Sequence, residues 1–133
     1  MAQRVDITGL SSADFLKALQ RGTSGMWSVE AAVWLLERHG VWLDDQRFRA
    51  CVDGGLDGSG QVWAGIDVQR AAAAIDAGVF GEWGEDIALL RFVLSLYGDH
   101  PISLRYTCEN ISEENLALIG KALYLACGYD EPR

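Results

Sequence analysis

The stretch EDIALLRFVLSLY, Glu85–Tyr97, decides the fold class. Ile87, Leu89, Leu90, Phe92, Val93, Leu94 and Leu96 cover almost the whole circumference of a helix. A helix that is apolar all round is buried on most sides, so this one belongs at the centre of a helical domain. Glu85 and Asp86 fall in its first turn, where carboxylates favour the helix dipole. Gly98 follows as a stop signal.

Working outward, the same punctuation recurs. Gly22, Gly40, Gly54, Gly78 and Gly128 each follow a segment of helical period. A first helix over Ser12–Arg21 carries Phe15, Leu16 and Leu19 on one side, with Ser11 or Ser12 as cap. A second over Ser28–His39 has Val29, Ala32, Val33 and Leu36 as its stripe. A third over Asp44–Val52 points Phe48, Cys51 and Val52 inward, with Asp44 as cap. A fourth starts at the N-cap Asp67 and runs through Ala71–Ala74 to Ala77. Glu85–Tyr97 is the fifth. The sixth spans Glu113–Cys127, capped by Ser112, with Leu116, Ile119, Leu123 and Ala126 as its core stripe. The expected architecture is mainly α: a compact bundle of about six helices forming one domain over 1–133, with residues 1–10 and 129–133 as tails.

Two segments read as extended. Gln61–Ile66 alternates apolar and small residues, and Ile102–Leu104 follows Pro101. The expectation is at most a short two-stranded ladder between 61–66 and 102–104. Ser103 can also cap a helical turn reaching towards Asn110, and that reading is favoured for 103–110.

The chain has 133 residues, half of them apolar, and a formal net charge of -8. Such a chain can bury a sizeable core, and its composition excludes disordered and disulfide-scaffold classes. Residues 1–50 hold six acids and six bases, whereas 51–133 hold thirteen acids and five bases. Phosphate binding requires Lys and Arg, so direct nucleic-acid binding and anionic membranes are disfavoured. An acidic surface suits a basic partner.

Cys51, Cys108 and Cys127 are odd in number and widely spaced, with no secretory signal before them. No apolar run approaches the length of a bilayer span. The expectation is a soluble protein of a reducing cytoplasm. Arginine outnumbers lysine nine to two, a composition associated with GC-rich bacterial genomes.

Motifs for chemistry fail one by one. Asp53–Asp67 (DGGLDGSGQVWAGID) superficially resembles a calcium loop. With Gly60 at the sixth position, position 1 is Gly55 and position 12 is Ile66; with Gly58 there, position 12 is Ala64. Either register lacks the closing glutamate. A phosphate loop needs a lysine, and there is none between Lys17 and Lys121. His39 and His100 lie far apart, and the cysteines are isolated, so no metal or cofactor is assigned.

Two acidic groups remain, Glu82, Glu85 and Asp86, then Glu109, Glu113 and Glu114. Both sit at helix starts. If those starts converge, they form one acidic patch. Trp27, Trp42, Trp63 and Trp83 lie in or next to connections, where packing is the favoured role. Trp63 and Trp83 are the better interface candidates.

The resulting expectation is a non-enzymatic acidic protein-binding domain, such as an immunity or inhibitor protein. It would present Trp63, Glu82, Trp83, Glu85, Asp86, Glu113 and Glu114 to a basic protein partner. A small enzyme or a ligand- or metal-binding domain using 53–67 is the alternative, and a homo-oligomeric structural subunit is the third reading.

Overall fold

Glu85–Gly98 forms a helix whose Ile87, Ala88, Leu89, Leu90, Phe92, Val93 and Leu94 are all buried, in a computed structural model that describes residues 4–82 and 84–129. In chain order the elements are α1 (Ser12–Arg21), α2 (Trp27–His39), α3 (Gln46–Arg49), β1 (Val52–Leu56), β2 (Val62–Ile66), α4 (Val68–Asp76), α5 (Glu85–Gly98), α6 (Leu104–Glu109) and α7 (Glu113–Ala126). The fold is mainly α, with seven helices and a two-stranded antiparallel sheet among the described residues. α2 packs against both α5 and α7, α4 lies on α5, and α1 lies on β2.

Local sequence explains most boundaries. Ser11, Asp67, Ser103 and Ser112 each accept the backbone N–H three residues on, capping α1, α4, α6 and α7. Gly40 takes the left-handed conformation that ends α2. α6 begins at its Ser103 cap, as the sequence suggests.

The sheet corrects two expectations. β2 pairs with β1 and not with 102–104, in the register Val52↔Ile66, Gly54↔Ala64 and Leu56↔Val62. Ile102 and Ser103 lead straight into the capped helix α6, leaving no free strand there. The glycines at 54 and 55 hide β1 from propensity reading, because glycine is depleted in strands. Both are required by close approach. A Cβ on Gly54 would lie 2.4 Å from Ile7 Cγ2, and one on Gly55 would lie 2.8 Å from the Trp63 ring. The third expected helix is shortened for the same reason: Val52 enters β1, leaving Gln46–Arg49 helical, with Asp45 as cap in place of Asp44.

Residues 4–10 are not a tail. Val5 N–H donates to Gly54 O at 3.1 Å, Arg4 bridges Gly55, and Ile7 is buried in the core. At the other end, Tyr129 packs on Tyr124, their ring centroids 5.1 Å apart. Residues 1–3 and 130–133 lie outside the described residues.

The stripe expected to bury α7 is also turned. Ile119 and Ala122 are buried, but Leu116 and Leu123 are 53% and 47% exposed. The side of α7 that meets α2 and α5 is the one carrying Ile119 and Ala122.

Candidate functional site

Three helix ends meet at one end of the molecule: the start of α5, the start of α7 and the end of α2. Two carboxylates of the first turn of α5 join them. Glu85 Oε1 accepts from the Ser112 N–H at 2.9 Å and from Asn115 Nδ2 at 2.6 Å. It therefore supplements the cap of α7. Asp86 Oδ1 meets His39 Nε2 at 2.9 Å, in the last turn of α2. The His39 side chain is 5% exposed, and its Nδ1 is buried with no partner among the described residues.

Glu85 thus brings the start of α7 against the start of α5. Glu113 and Glu114 follow directly on Ser112 and are exposed, and Glu82 is exposed three residues before Glu85. Glu109 lies at the end of α6 and is held by Arg105 at 3.0 Å. Trp83 lies outside the described residues.

Beside these carboxylates is a shallow cleft of about 290 Å³, with Trp42 and Phe80 as apolar lining and Asp45, Glu82, Glu85 and Asp86 as its acids. Trp42 and Phe80 meet edge to face, their centroids 5.3 Å apart. Among the described lining residues, Arg47 is the one cation. It pairs with Asp45 at 2.6 Å, donates to Val79 O at 3.3 Å and lies 5.8 Å from the Phe80 ring centroid. A guanidinium between a carboxylate and an aromatic ring is an internal example of what this surface accommodates.

The electrostatics favour charged carboxylates. Hydrogen bonds from Ser112, then from Asn115, hold the Glu85 carboxyl below its usual range, with a smaller contribution from His39. Arg47 does the same for Asp45, against some cost of burial. A general acid at neutral pH needs a carboxyl pushed the other way. Both carboxylates are charged at neutral pH and hold partners within the fold.

The chain matches no family model, no curated protein and no solved structure.

Trp63 does not join this end. It lies on β2 with its ring over Gly55. The neighbouring Ile66 N–H donates to the Tyr97 hydroxyl at 3.2 Å, at the far end of α5. Twelve residues of helix separate Tyr97 from Glu85, about 18 Å at 1.5 Å per residue. Trp42, Phe80 and Arg47 take its place in the cleft. Their only signal in sequence was the closeness of an aromatic and an Asp-x-Arg pair, which is weak.

The 53–67 segment is a hairpin. Asp57 accepts from the Ser59 hydroxyl, the Ser59 N–H and the Gln61 N–H, and Gly60 sits at φ +80° to close the turn. Asp53 pairs with Arg70 at 3.4 Å, and Asp67 caps α4. All three aspartates are thereby committed to the fold. Among the described residues, no group of three or more His, Cys, Asp and Glu side chains is placed to hold a metal ion. Nor is any described helix long and apolar enough to cross a membrane. The three cysteines are free thiols; Cys51 is buried, which pushes its thiol pKa up, while Cys108 and Cys127 are exposed.

Proposed function

We propose that this chain is a non-enzymatic protein-binding domain whose acidic end receives a basic partner protein, in the manner of an immunity or inhibitor protein. The observation that supports this reading is the Glu85 bridge to Ser112 and Asn115, which joins the helix start bearing Glu85 and Asp86 to the one bearing Glu113 and Glu114. Five carboxylates in one region raise the encounter rate with a cationic surface. Trp42 and Phe80, at the floor of the cleft beside them, are 3% and 7% exposed, so the contact offered to a partner is mainly the carboxylates.

Roles divide within the set. Glu85 and Asp86 are tied to neighbouring helices and position the end. Glu82, Glu113 and Glu114 are the carboxylates offered to the partner's lysines and arginines. A partner whose natural ligand is a nucleic acid fits this chemistry, because carboxylates can stand where phosphates would.

The test is affinity capture from a lysate of the source cell, with retained proteins identified by mass spectrometry after low-salt and high-salt washes. A specific basic protein, kept at low salt and released at high salt, supports the reading. Capture of no basic protein by folded bait counts against it.

A further inference from the structure

The outer face of α7 is an apolar strip with no cover from the rest of the described fold. Leu116, Leu123 and Tyr124 are exposed along it, although the helix carries them at core spacing. At its C-terminal end the strip widens. The Trp27 ring lies against Gly128, where a Cβ would come within 2.4 Å of it, and Tyr129 packs on Tyr124. Trp27 and Tyr129 are each 61% exposed and Tyr124 is 43% exposed, leaving roughly 300 Å² of aromatic surface in water.

We infer that this face is the interface of a homodimer, in which two copies of α7 cross antiparallel at Gly120. Size is the first argument. With Leu116, Leu123 and Met26 the patch reaches about 600 Å², the upper limit for a typical monomer and close to the ~800 Å² per partner of a standard interface.

Self-complementarity is the second. Gly120 lies at the middle of the strip with open space above it, so two helices can approach closely there. A two-fold axis at Gly120 sets Leu116 of each copy against Tyr124 of the other. An interface of this symmetry must match itself, and a strip apolar on both sides of its centre does.

Charge is the third. The chain carries -8 overall, yet from Leu116 to Gly128 its one charged residue is Lys121. Glu114 and Lys121 lie seven residues apart, on the same flank of the helix. In the antiparallel pair each Lys121 comes about 7.5 Å along the axis from Glu114 of the other copy, within reach of the two side chains. A second acidic copy therefore meets this face without the repulsion it would meet at the acidic end. The pair uses Glu114, which the acidic-end reading also offers to a partner, but the apolar strip and its test do not depend on that reading.

Molar mass in solution tests it, by light scattering after size exclusion of the full chain over a wide concentration range. The expected value at the upper end is twice 14.5 kDa. Leu123→Glu and Gly120→Glu, checked for unchanged helicity by circular dichroism, should weaken the dimer about 30-fold or more, while Leu123→Met preserves it. Gly120→Glu carries the test even if Leu123→Glu disturbs folding, because position 120 is open and glutamate is the better helix former. A wild-type chain that stays at monomer mass throughout overturns the inference. So does a dimer indifferent to both charged variants.

Discussion

The guanidinium of Arg49, 2% exposed, stands 4.5 Å from the centroid of the Phe15 ring at the heart of the α1–α3 junction. Its Nε donates to Leu43 O at 2.8 Å, and Nη1 donates to Leu10 O at 2.5 Å and Thr8 O at 3.2 Å. One side chain thus serves carbonyls of the N-terminal segment and of the loop before α3. Charge neutralisation plays little part, since Asp44 is 3.8 Å away and largely in water.

Arg49→Met should therefore cost about 3 kcal/mol or more, because several carbonyls lose their donor at once. Arg49→Lys keeps the charge but not the planar fork, and should fall between. Urea unfolding midpoints measure both. A loss under about 1 kcal/mol for Arg49→Met would contradict the role of hub.

Gly54 predicts a second stability effect. A Cβ there meets Ile7 Cγ2 at 2.4 Å and Val5 O at 2.9 Å, and the backbone carbonyl cannot swing aside. Gly54→Ala should cost about 1–3 kcal/mol by overpacking. Gly58→Ala, with nothing within 4 Å in the hairpin turn, should leave the unfolding midpoint nearly unchanged. Equal effects at the two positions would contradict the packing of residues 4–7 on β1.

The acid limb of stability follows from the lowered carboxyls. Glu85, held down by Ser112, Asp45 by Arg47, Asp57 by Ser59 and Asp6 by Thr8 all shift in one direction. In each case the unfolded chain takes up its proton at the higher pH, near about 4. Stability from these groups is complete above that range and is lost as pH falls through the lower folded values. The melting temperature should hold across neutral pH and drop in acid. Glu85→Gln should lower it at neutral pH and give a shallower acid limb. An identical pH profile would show that the Glu85 bridge to α7 contributes nothing.

The helices were legible because their signals are local. Ser11, Asp67, Ser103 and Ser112 cap where their side chains allow, and the all-round apolar pattern of Glu85–Tyr97 placed α5 at the centre. What escaped depends on distant partners. The strand at Val52–Leu56 is made by Ile7 and Trp63 filling the space over its glycines, and nothing in its own sequence announces that. Nothing in the sequence marks Arg49 as the side chain that Phe15 and four carbonyls surround. Leu116 and Leu123 keep core spacing yet face outward, because periodicity marks an apolar face without saying which surface meets it.

The acidic end was half legible for the same reason. Carboxylates at helix starts can be read from sequence, as with Glu85 and Asp86 in α5 and Glu113 and Glu114 in α7. Their convergence rests on Glu85 reaching Ser112 across 27 positions of chain, and the separation of Trp63 rests on the length of α5.

The central claim is that this end binds a basic protein through its exposed carboxylates. Its most direct test is the dissociation constant of the captured partner, measured at low and high salt. Wild type is compared with the triple variant Glu82→Gln, Glu113→Gln, Glu114→Gln, which leaves Glu85 and Asp86 in place. The account predicts that salt weakens wild-type binding by about tenfold or more, and that the triple variant binds weakly at both salts with little further change. Equal affinity of the two proteins, or wild-type affinity indifferent to salt, would contradict it.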